Sequence, residues 1–517
     1  VKAELPIEPT LSIPRLQQAL LIDSEGNCLD PSNGCVAANI FGSNTLSQEA
    51  QDFIRINSRG ADNTTRQTVF SGTLSGNTIG WLETNAGPIG AALGFEYIDR
   101  EQKNVTAPEV ESLQLIGFLL YPQSFEAEED TTSIFTEVIV PLAAGLPGID
   151  FLELEVAGRL SNHSAKGSFS TYKVALSYYP VPDIQFRVSY NDAVRVPGLA
   201  ELGLPQEFEI SAFIDQDPCS QLGQPTPEVA DICIATGVPS NVVGSEAINA
   251  FNIGGIPFAG GGRAINREEE ATTISYGLVW TPMSIDGLSL SVDYFKIEIE
   301  DYIRFYGQGN ILERCYNPDL SGSIRQTDAC RRITRAPNGE ITEVWGGWAN
   351  VGTQGITGID INIAYQYELP LGFLDISYVG TSILDQELTV GQVTEDCAGQ
   401  FNSVCFNNGT PDLKHRMSIN WSYDRLTAQL VWRYLGSVND GEEQVNYVVE
   451  SLGSKSYLEI SGSYDIKDNL RIIAGVTNLT DEDPPLLGTN RQDFNTLPNL
   501  YDIFGRAIFA KLKYEIF

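Results

Sequence analysis

Histidine and methionine are scarce in this sequence, although catalytic and metal sites often depend on them. The 517 residues include two histidines, His163 and His415, and two methionines. A Ser-His-Asp or Cys-His set therefore has few candidate members, and the sequence contains neither a GxSxG nor an HExxH motif. The same scarcity argues against a metal-rich or methionine-rich binding core. We therefore expect a protein that is not an enzyme, with no catalytic residues and no metal site.

Basic residues are also in short supply. Lysine and arginine together number 32, against 67 aspartates and glutamates, which gives a formal net charge of −35. Nucleic-acid binding needs clustered Lys and Arg to neutralise phosphates, so this balance argues against a nucleic-acid partner. The acidity itself indicates no particular function, because a high net charge mainly favours solubility and repels anions at long range.

No apolar run is long enough to cross a membrane as a helix. The most apolar stretch, 138–149, is short and contains two prolines, whereas a spanning helix needs about 20 apolar residues. A secretion signal is missing as well, because the opening VKAELPIEP lacks a basic region followed by an apolar one. Since the sequence starts at Val1 rather than at a methionine, we expect that an N-terminal segment has been left out of it.

Cysteine is the first residue type whose pattern is informative. The eight cysteines fall into local couples within polar stretches rich in Gly, Asn, Pro and Asp. None has CxxC spacing, and no histidine lies near enough to complete a zinc site. These couples predict disulfides and an oxidising compartment; the alternative of free thiols is weaker, because free cysteines prefer burial. The predicted pairs are Cys28–Cys35, Cys219–Cys233, Cys315–Cys330 and Cys397–Cys405.

From about residue 66 onward, apolar and polar side chains alternate in segments such as 151–161, 358–367 and 426–434. A period of two is typical of half-buried strands, so we expect each strand to have one apolar and one polar face. The predicted apolar face includes Leu152, Leu154, Val156, Ile359, Ile361, Ile363, Leu430, Ile460, Ile472 and Leu512. The predicted polar face includes Glu153, Glu155, Asp360, Asn362, Gln429, Arg433, Lys511 and Lys513.

Short and long connections alternate between these segments. Tight turns are expected at 179–183, 281–287, 368–372, 423–425 and 465–469, and long loops at 99–130, 195–270, 301–353, 385–412, 437–455 and 479–505. A compact soluble domain rarely carries so many long loops, whereas short turns at one end and long loops at the other are typical of a transmembrane β-barrel. We therefore predict about sixteen strands over 66–517. Residues 1–65 are read as a further long loop, with a short helix near Ser47–Ile56 that Ser47 caps.

Aromatic residues cluster near the predicted strand ends, as at Tyr178 and Tyr179 or Trp432 and Tyr434. This placement fits the aromatic girdle at a membrane interface, although aromatic residues are also common in strands generally. The chain ends on an alternating strand, 506–517, whose last residue is the aromatic Phe517.

Several stretches, in family order, resemble TonB-dependent outer-membrane receptors. They are 35–54, 135–142, 151–202 with its Arg195-Val196-Pro197 motif, 350–367, 476–485 and 501–517. The resemblance implies an all-β fold, a transmembrane antiparallel β-barrel of which about sixteen of 22 strands are present, with long extracellular loops. It also implies a TonB box and a plug domain, neither of which is found before residue 20, so the sequence is expected to begin near the sixth or seventh strand. Every cysteine then lies outside the cell, and Phe517 resembles the signal read by the barrel-assembly machinery.

The function implied by the resemblance is energised import across the outer membrane of a Gram-negative bacterium. The implied partners are TonB with its inner-membrane motor proteins, acting through the missing N-terminal region, the barrel-assembly machinery, outer-membrane lipid, and a scarce ligand. That ligand is an iron–siderophore, cobalamin or an oligosaccharide, with no permanently bound cofactor, and the two histidines make haem a weaker candidate. A passive porin, a secreted disulfide-stabilised β-protein and a β-barrel enzyme remain as alternatives.

The candidate ligand-binding residues lie in the loop 301–353. Exposed Trp and Tyr beside Arg are able to stack on a sugar ring or an aromatic chelate and to pair with carboxylates. The alternative is that these side chains pack the loop beneath its disulfide, and Arg195 is expected to be structural. The candidates are Tyr316, Arg331, Arg332, Trp345 and Trp348.

Overall fold

The structure is a computed structural model of the chain. It describes residues 2–5, 10–56, 60–80, 82–112, 114–115, 124–203, 207–209, 217–248, 256–258, 265, 267–317, 328–390, 393–401, 405, 409–441, 449–488 and 495–515.

One large antiparallel sheet dominates these residues, and its long strands are numbered here in chain order. They are β1 (Ala61–Asn77), β2 (Gly90–Thr106), β3 (Phe125–Leu146), β4 (Ile149–His163), β5 (Gly167–Val181), β6 (Ile184–Arg195), β7 (Glu269–Trp280), β8 (Leu288–Tyr306), β9 (Gly347–Leu369), β10 (Gly372–Val390), β11 (Leu413–Tyr423), β12 (Leu426–Leu435), β13 (Lys455–Lys467), β14 (Leu470–Thr477) and β15 (Ala507–Tyr514). Two short strands, Lys2–Leu5 and Val393–Asp396, complete a sheet of 17 strands. The prediction of about sixteen strands is confirmed.

The order of the strands is a meander. Each long strand pairs antiparallel with the next one along the chain, from β1 with β2 through to β14 with β15. Lys2–Leu5 pairs with the first residues of β1, and every residue of β15 is exposed.

The turns at one end of the sheet are tight because their residues tolerate unusual backbone angles. Asp424 and Gly372 have φ of 50° and 93°. A Cβ at Gly372 would lie 2.0 Å from the Ser422 carbonyl oxygen, so the close approach of two strands requires glycine there. The turn at 147–148 was missed by the sequence analysis, as was the three-residue hairpin 164–166 at the opposite, long-loop end.

The helices lie in the long connections. They are α1 (Ile13–Leu20), α2 (Gln48–Ile54), α3 (Pro108–Glu111), α4 (Leu199–Gly203), α5 (Pro227–Ala235), α6 (Gln308–Tyr316) and α7 (Asp328–Arg331), with a 3-10 turn at Ser32–Gly34. The helix expected near Ser47 is α2, and the Ser47 hydroxyl accepts the Ala50 N–H at 3.1 Å. None of the described helices combines the length and the apolarity that a membrane span requires.

The remaining strands are short and lie outside the large sheet. They are Thr10–Leu11, Arg55–Ile56, Glu83–Thr84, Gly87–Pro88, Glu207–Glu209, Ile256–Phe258, Ile333–Arg335, Ile341–Val344, Gln400–Phe401, Val438–Asp440 and Ser451–Leu452. The first large-sheet strand of the predicted barrel region starts at Ala61, five residues before the boundary expected at residue 66.

The two faces of the large sheet differ in chemistry and in what covers them. Loop segments pack on one face, where Gly203 of α4 meets Ala127 of β3 and where Asp502 pairs with Arg433 of β12. We call this covered face the inner face and the opposite one the outer face. The strand registers place all the predicted apolar positions on the outer face and all the predicted polar ones on the inner face.

The outer face stays exposed although it is apolar. Leu160 is 68% exposed, Ile460 46% and Leu512 64%. The clusters of buried apolar side chains lie instead among the loops and helices of the long-loop end, as described below. In the described residues the sheet therefore encloses no apolar core of its own.

Candidate ligand-binding surface

Three long loops share a single apolar core, which we call the central loop cluster. It joins the connections after β6, β8 and β10 through buried residues that include Cys219, Ile232, Ile311, Cys315, Ile341, Leu388 and Cys397. A small sheet joins the loops after β6 and β8, with Phe258 opposite Val344 in parallel pairing. Disulfides join Cys219 to Cys233, Cys315 to Cys330 and Cys397 to Cys405, so each closes within one loop, and all three lie in this cluster. The shared apolar core therefore packs the three loops into one body, and the disulfides stabilise each loop within it.

A buried ion pair holds two of these loops together. The Arg335 guanidinium donates to both carboxylate oxygens of Asp217, at 2.7 and 2.8 Å, and to the Tyr316 hydroxyl at 2.9 Å. The Tyr316 hydroxyl also lies 2.9 Å from that of Thr236. Burial raises the pKa of the Tyr316 phenol, which therefore stays protonated near neutral pH.

The structure separates the five candidate ligand residues into two groups. Tyr316 is only 3% exposed and belongs to the central loop cluster, so its contacts in this conformation are with the protein. Trp345 is 38% exposed, and its carbonyl accepts a hydrogen bond from Arg332 at 3.3 Å. Arg331 is exposed at the end of α7, and Trp348 packs edge-on against Phe305 with ring centroids 5.7 Å apart. Arg332 and Trp345 are therefore in contact with each other, whereas Trp348 lies in β9 against Phe305 of β8.

A second core lies under the loops that follow β10, β12 and β14. Its buried residues, which we call the C-terminal loop cluster, are Phe401, Val438, Leu452, Leu487, Leu497 and Tyr501. Burial raises the pKa of Tyr501 to about 12. Next to it, Asp502 pairs with Arg433 on the inner face, so this loop is fixed to the strand wall.

Residues 10–56 form a third small core at the same end of the sheet. Helices α1 and α2 pack around Ala19, Ala50 and Ile54, and the disulfide Cys28–Cys35 closes the loop between them. The Ile13 N–H donates to the Gln114 carbonyl in the long connection after β2. All four predicted disulfides are thus formed, and all lie at the long-loop end.

Arg195 of the Arg-x-Pro motif anchors the rim of the sheet. Its guanidinium pairs with Glu269 of β7 and with Glu201 of α4. Glu269 is 4% exposed and also accepts the Ile303 N–H at 2.6 Å. This network connects β6, β7, β8 and α4, which makes the role of Arg195 structural.

Ion pairs cross the inner face between strands that are not neighbours in sequence. Arg187 of β6 makes a two-pronged pair with Asp293 of β8, at 2.7 and 2.6 Å, across the intervening Gly277 of β7. A Cβ at Gly277 would lie 2.0 Å from the Asp293 Oδ1, so glycine provides the space for this contact. The alternation of apolar and polar residues predicted the polar face. It could not predict an ion pair between two strands that are separated by a third strand.

The acidic cluster Glu101, Glu126 and Glu128 lies at the same end of the sheet. One carboxylate oxygen from each lies within 4.8 Å of the others. Lys103 pairs with Glu126 at 2.6 Å and Arg66 with Glu101 at 2.7 Å. These cations already offset most of the negative charge, which makes the cluster a poor metal site.

Comparisons with known proteins agree on the type of barrel. The sequence profile described as "TonB dependent receptor-like, beta-barrel" matches residues 30–479. The search of curated proteins gives no match. A mutant of the ferric enterobactin receptor PfeA of Pseudomonas aeruginosa superimposes with a TM-score of 0.57 at 16% identity, covering 89% of this chain and 55% of that one. The siderophore receptor PirA of Acinetobacter baumannii gives 0.55 at 15% identity, covering 88% and 55%. The chain thus spans about half the length of the structures that it resembles.

Proposed function

Because the chain belongs to the TonB-dependent receptor family, whose barrel profile matches residues 30–479, we propose that it is the barrel part of an outer-membrane transporter that imports a ferric siderophore. In this proposal the ligand binds at the long-loop end, and TonB with its inner-membrane motor proteins supplies the energy through a region N-terminal to this chain. The barrel-assembly machinery inserts the barrel into the outer membrane of a Gram-negative bacterium. Phe517, proposed as its signal, lies outside the described residues.

The observation that carries the membrane placement is the reversed arrangement of apolar and polar strand faces. A soluble β-protein buries its apolar faces, whereas a membrane barrel presents an apolar band to lipid and a polar face to its lumen. Here Leu160, Ile460 and Leu512 are exposed on the outer face. On the inner face, Lys173 pairs with Glu155 and Arg187 pairs with Asp293. We accordingly assign residues 1–65 to the extracellular side and 66–517 to the barrel region.

The choice of a siderophore over cobalamin or an oligosaccharide is supported by the candidate loop residues. The similar structures include a PfeA mutant in complex with enterobactin and a siderophore receptor. In this chain, Arg331 and Arg332 lie close in sequence to the aromatic Trp345 and Trp348, and Arg332 donates a hydrogen bond to the Trp345 carbonyl. Guanidinium groups pair with anionic oxygens and aromatic rings stack on planar groups, which suits an anionic iron chelate. Tyr316 belongs to the buried central loop cluster, where its hydroxyl accepts a hydrogen bond from Arg335.

Uptake of radioactive iron–siderophore complexes tests the function in cells that carry the complete gene. We expect uptake that stops when a protonophore collapses the proton gradient, because a plugged lumen offers no open path without work from TonB. Uptake that continues unchanged after the collapse would instead support a passive porin. No uptake of any iron chelate, with binding of another ligand class, would reject the siderophore assignment but keep the transporter.

The variant pair Trp345→Ala and Trp421→Ala locates the binding surface within the same assay. Trp345 lies in the candidate surface, whereas Trp421 lies at the short-turn end, where its indole N–H donates to the Leu371 carbonyl at 2.8 Å. We expect the first change alone to raise the ligand concentration required for half-maximal uptake.

A further inference from the structure

The outer face is interrupted by a groove of about 640 Å³. Its lining comes from five neighbouring strands, β5 to β9.

The registers explain how the groove arises. One row across the sheet reads Tyr178, Phe186, Leu278 and Val292 from β5 to β8. The adjacent row on the same face reads Leu176, Val188, Tyr276 and Tyr294. The aromatic pair thus occupies β5 and β6 in the first row, but β7 and β8 in the second. The other positions of the two rows hold smaller aliphatic side chains, on β7 and β8 in the first row and on β5 and β6 in the second. A channel therefore runs diagonally across the strands between the two aromatic pairs.

Stacking keeps both walls of this channel in place. The rings of Tyr178 and Phe186 lie 6.2 Å apart and those of Tyr276 and Tyr294 lie 4.5 Å apart, both nearly parallel. The Tyr178 hydroxyl also donates to the Gly148 carbonyl at 2.7 Å, in the short turn between β3 and β4. Such pairs favour one ring geometry, and this geometry gives the channel its two aromatic walls.

The chemistry of the channel fits hydrocarbon rather than a polar group. Its side chains are aliphatic or aromatic, and the one charged residue at its border, Arg187, points to the inner face, where it pairs with Asp293. No cation of the described lining residues is therefore available for a phosphate or carboxylate. Tyr178 lies about 10–15 Å along the strand from the short turn, within an apolar band about 25 Å tall.

We infer that this groove holds one hydrocarbon chain of a phospholipid from the membrane leaflet at the short-turn end. The inference rests on the proposed membrane placement, which makes the groove continuous with the lipid-facing band. In the orientation proposed above this leaflet is the periplasmic one. The lipid headgroup is not recognised, so any phospholipid with a chain of suitable length occupies the site.

Photolabelling tests the inference directly. The full chain is reconstituted into phosphatidylethanolamine–phosphatidylglycerol vesicles that contain a trace of phospholipid with a diazirine in the middle of one chain. After irradiation, labelled peptides are quantified by mass spectrometry. We expect peptides containing Leu176 to Val188 and Tyr276 to Tyr294 to carry several-fold more label than the peptide containing Leu430. Leu430 is a fair reference because it lies on the outer face at a similar distance from its own short turn.

Substitutions that fill the groove supply the control. Leu278→Trp is expected to abolish the excess label, whereas Leu430→Trp, the same change elsewhere on the outer face, leaves it intact. Should Leu278→Trp fail to fold, Val188→Phe fills the groove from the adjacent strand.

The outcomes separate this inference from the proposed function. If all outer-face peptides carry equal label, the lipid is ordinary surrounding lipid. That result would reject a lipid site in the groove but would keep the membrane placement. Labelling of no outer-face peptide would reject both. Groove peptides without excess label, together with dimers trapped in the same vesicles by a bifunctional amine crosslinker, would show that a second copy of the chain covers the groove, which would also overturn the inference.

Discussion

The ion pair between Arg335 and Asp217 is almost completely buried in the central loop cluster, with side-chain exposures of 1% and 6%. Asp217→Asn would leave the Arg335 charge without its counter-ion, and breaking a buried pair from one side typically costs about 3–5 kcal/mol. We expect the loops to become sensitive to protease while the strands stay resistant. The matched control is Asp301→Asn, because Asp301 pairs with Arg267 at an exposed site and an exposed pair contributes about 0–1 kcal/mol. Equal protease resistance in both variants would show that the pair does not hold the loops.

At the residue scale, the disulfides could be predicted from the sequence, but the ion pair between Arg335 and Asp217 could not. The cysteine couples were recognisable because each pair lies close along the chain and in polar surroundings. Arg335 and Asp217 are separated by 118 residues, and no local pattern connects them. Tyr316 was predicted to contact ligand because aromatic residues beside arginines are typical of binding surfaces. Its burial follows from the packing of α6 beneath two other loops, which is a tertiary effect.

At the scale of strands, Gly277 permits an ion pair that connects β6 to β8 across β7. We expect Gly277→Ala to push Asp293 away from Arg187, since the new Cβ would lie 2.0 Å from the Asp293 Oδ1. Overpacking of this kind costs about 1–3 kcal/mol, measurable as a lower unfolding midpoint of the protein in detergent. Gly355→Ala is the control, because a Cβ there meets nothing within 4 Å. If both substitutions lower the unfolding midpoint equally, the loss of stability comes from replacing any strand glycine and not from the displaced ion pair.

Strand positions and faces were readable from alternation, because a period of two directly reflects the geometry of a half-exposed strand. The hairpin at 164–166 could not be predicted, since the other connections at that end of the sheet are long. The start of β1 at Ala61 was also missed. After Ala61, the residues Asp62, Asn63 and Thr64 are polar on both faces at the point where Lys2–Leu5 pairs with them, so alternation gives no boundary there.

For the molecule as a whole, apolar strand faces point away from the loops and polar faces toward them. The loops at one end hold the apolar cores and the disulfides, and they contact the strands through Leu388 of β10 and through the Asp502–Arg433 pair. The family followed from the order of motifs along the chain, and the proposed function rests on that membership. The identity of the ligand did not, because it depends on loop side chains brought together by packing rather than by sequence order.

Spin labels at neighbouring strand positions distinguish an outer face that contacts lipid from one that contacts water. Labels are placed at positions 429 and 430 of β12, through Gln429→Cys and Leu430→Cys, in protein reconstituted into vesicles. We expect the label at 430 to be relaxed by oxygen, which concentrates in the hydrocarbon. The label at 429 should respond instead to a water-soluble nickel chelate. Labels that respond to the nickel chelate at both positions, or in the reverse order, would contradict a membrane barrel and favour a secreted β-protein.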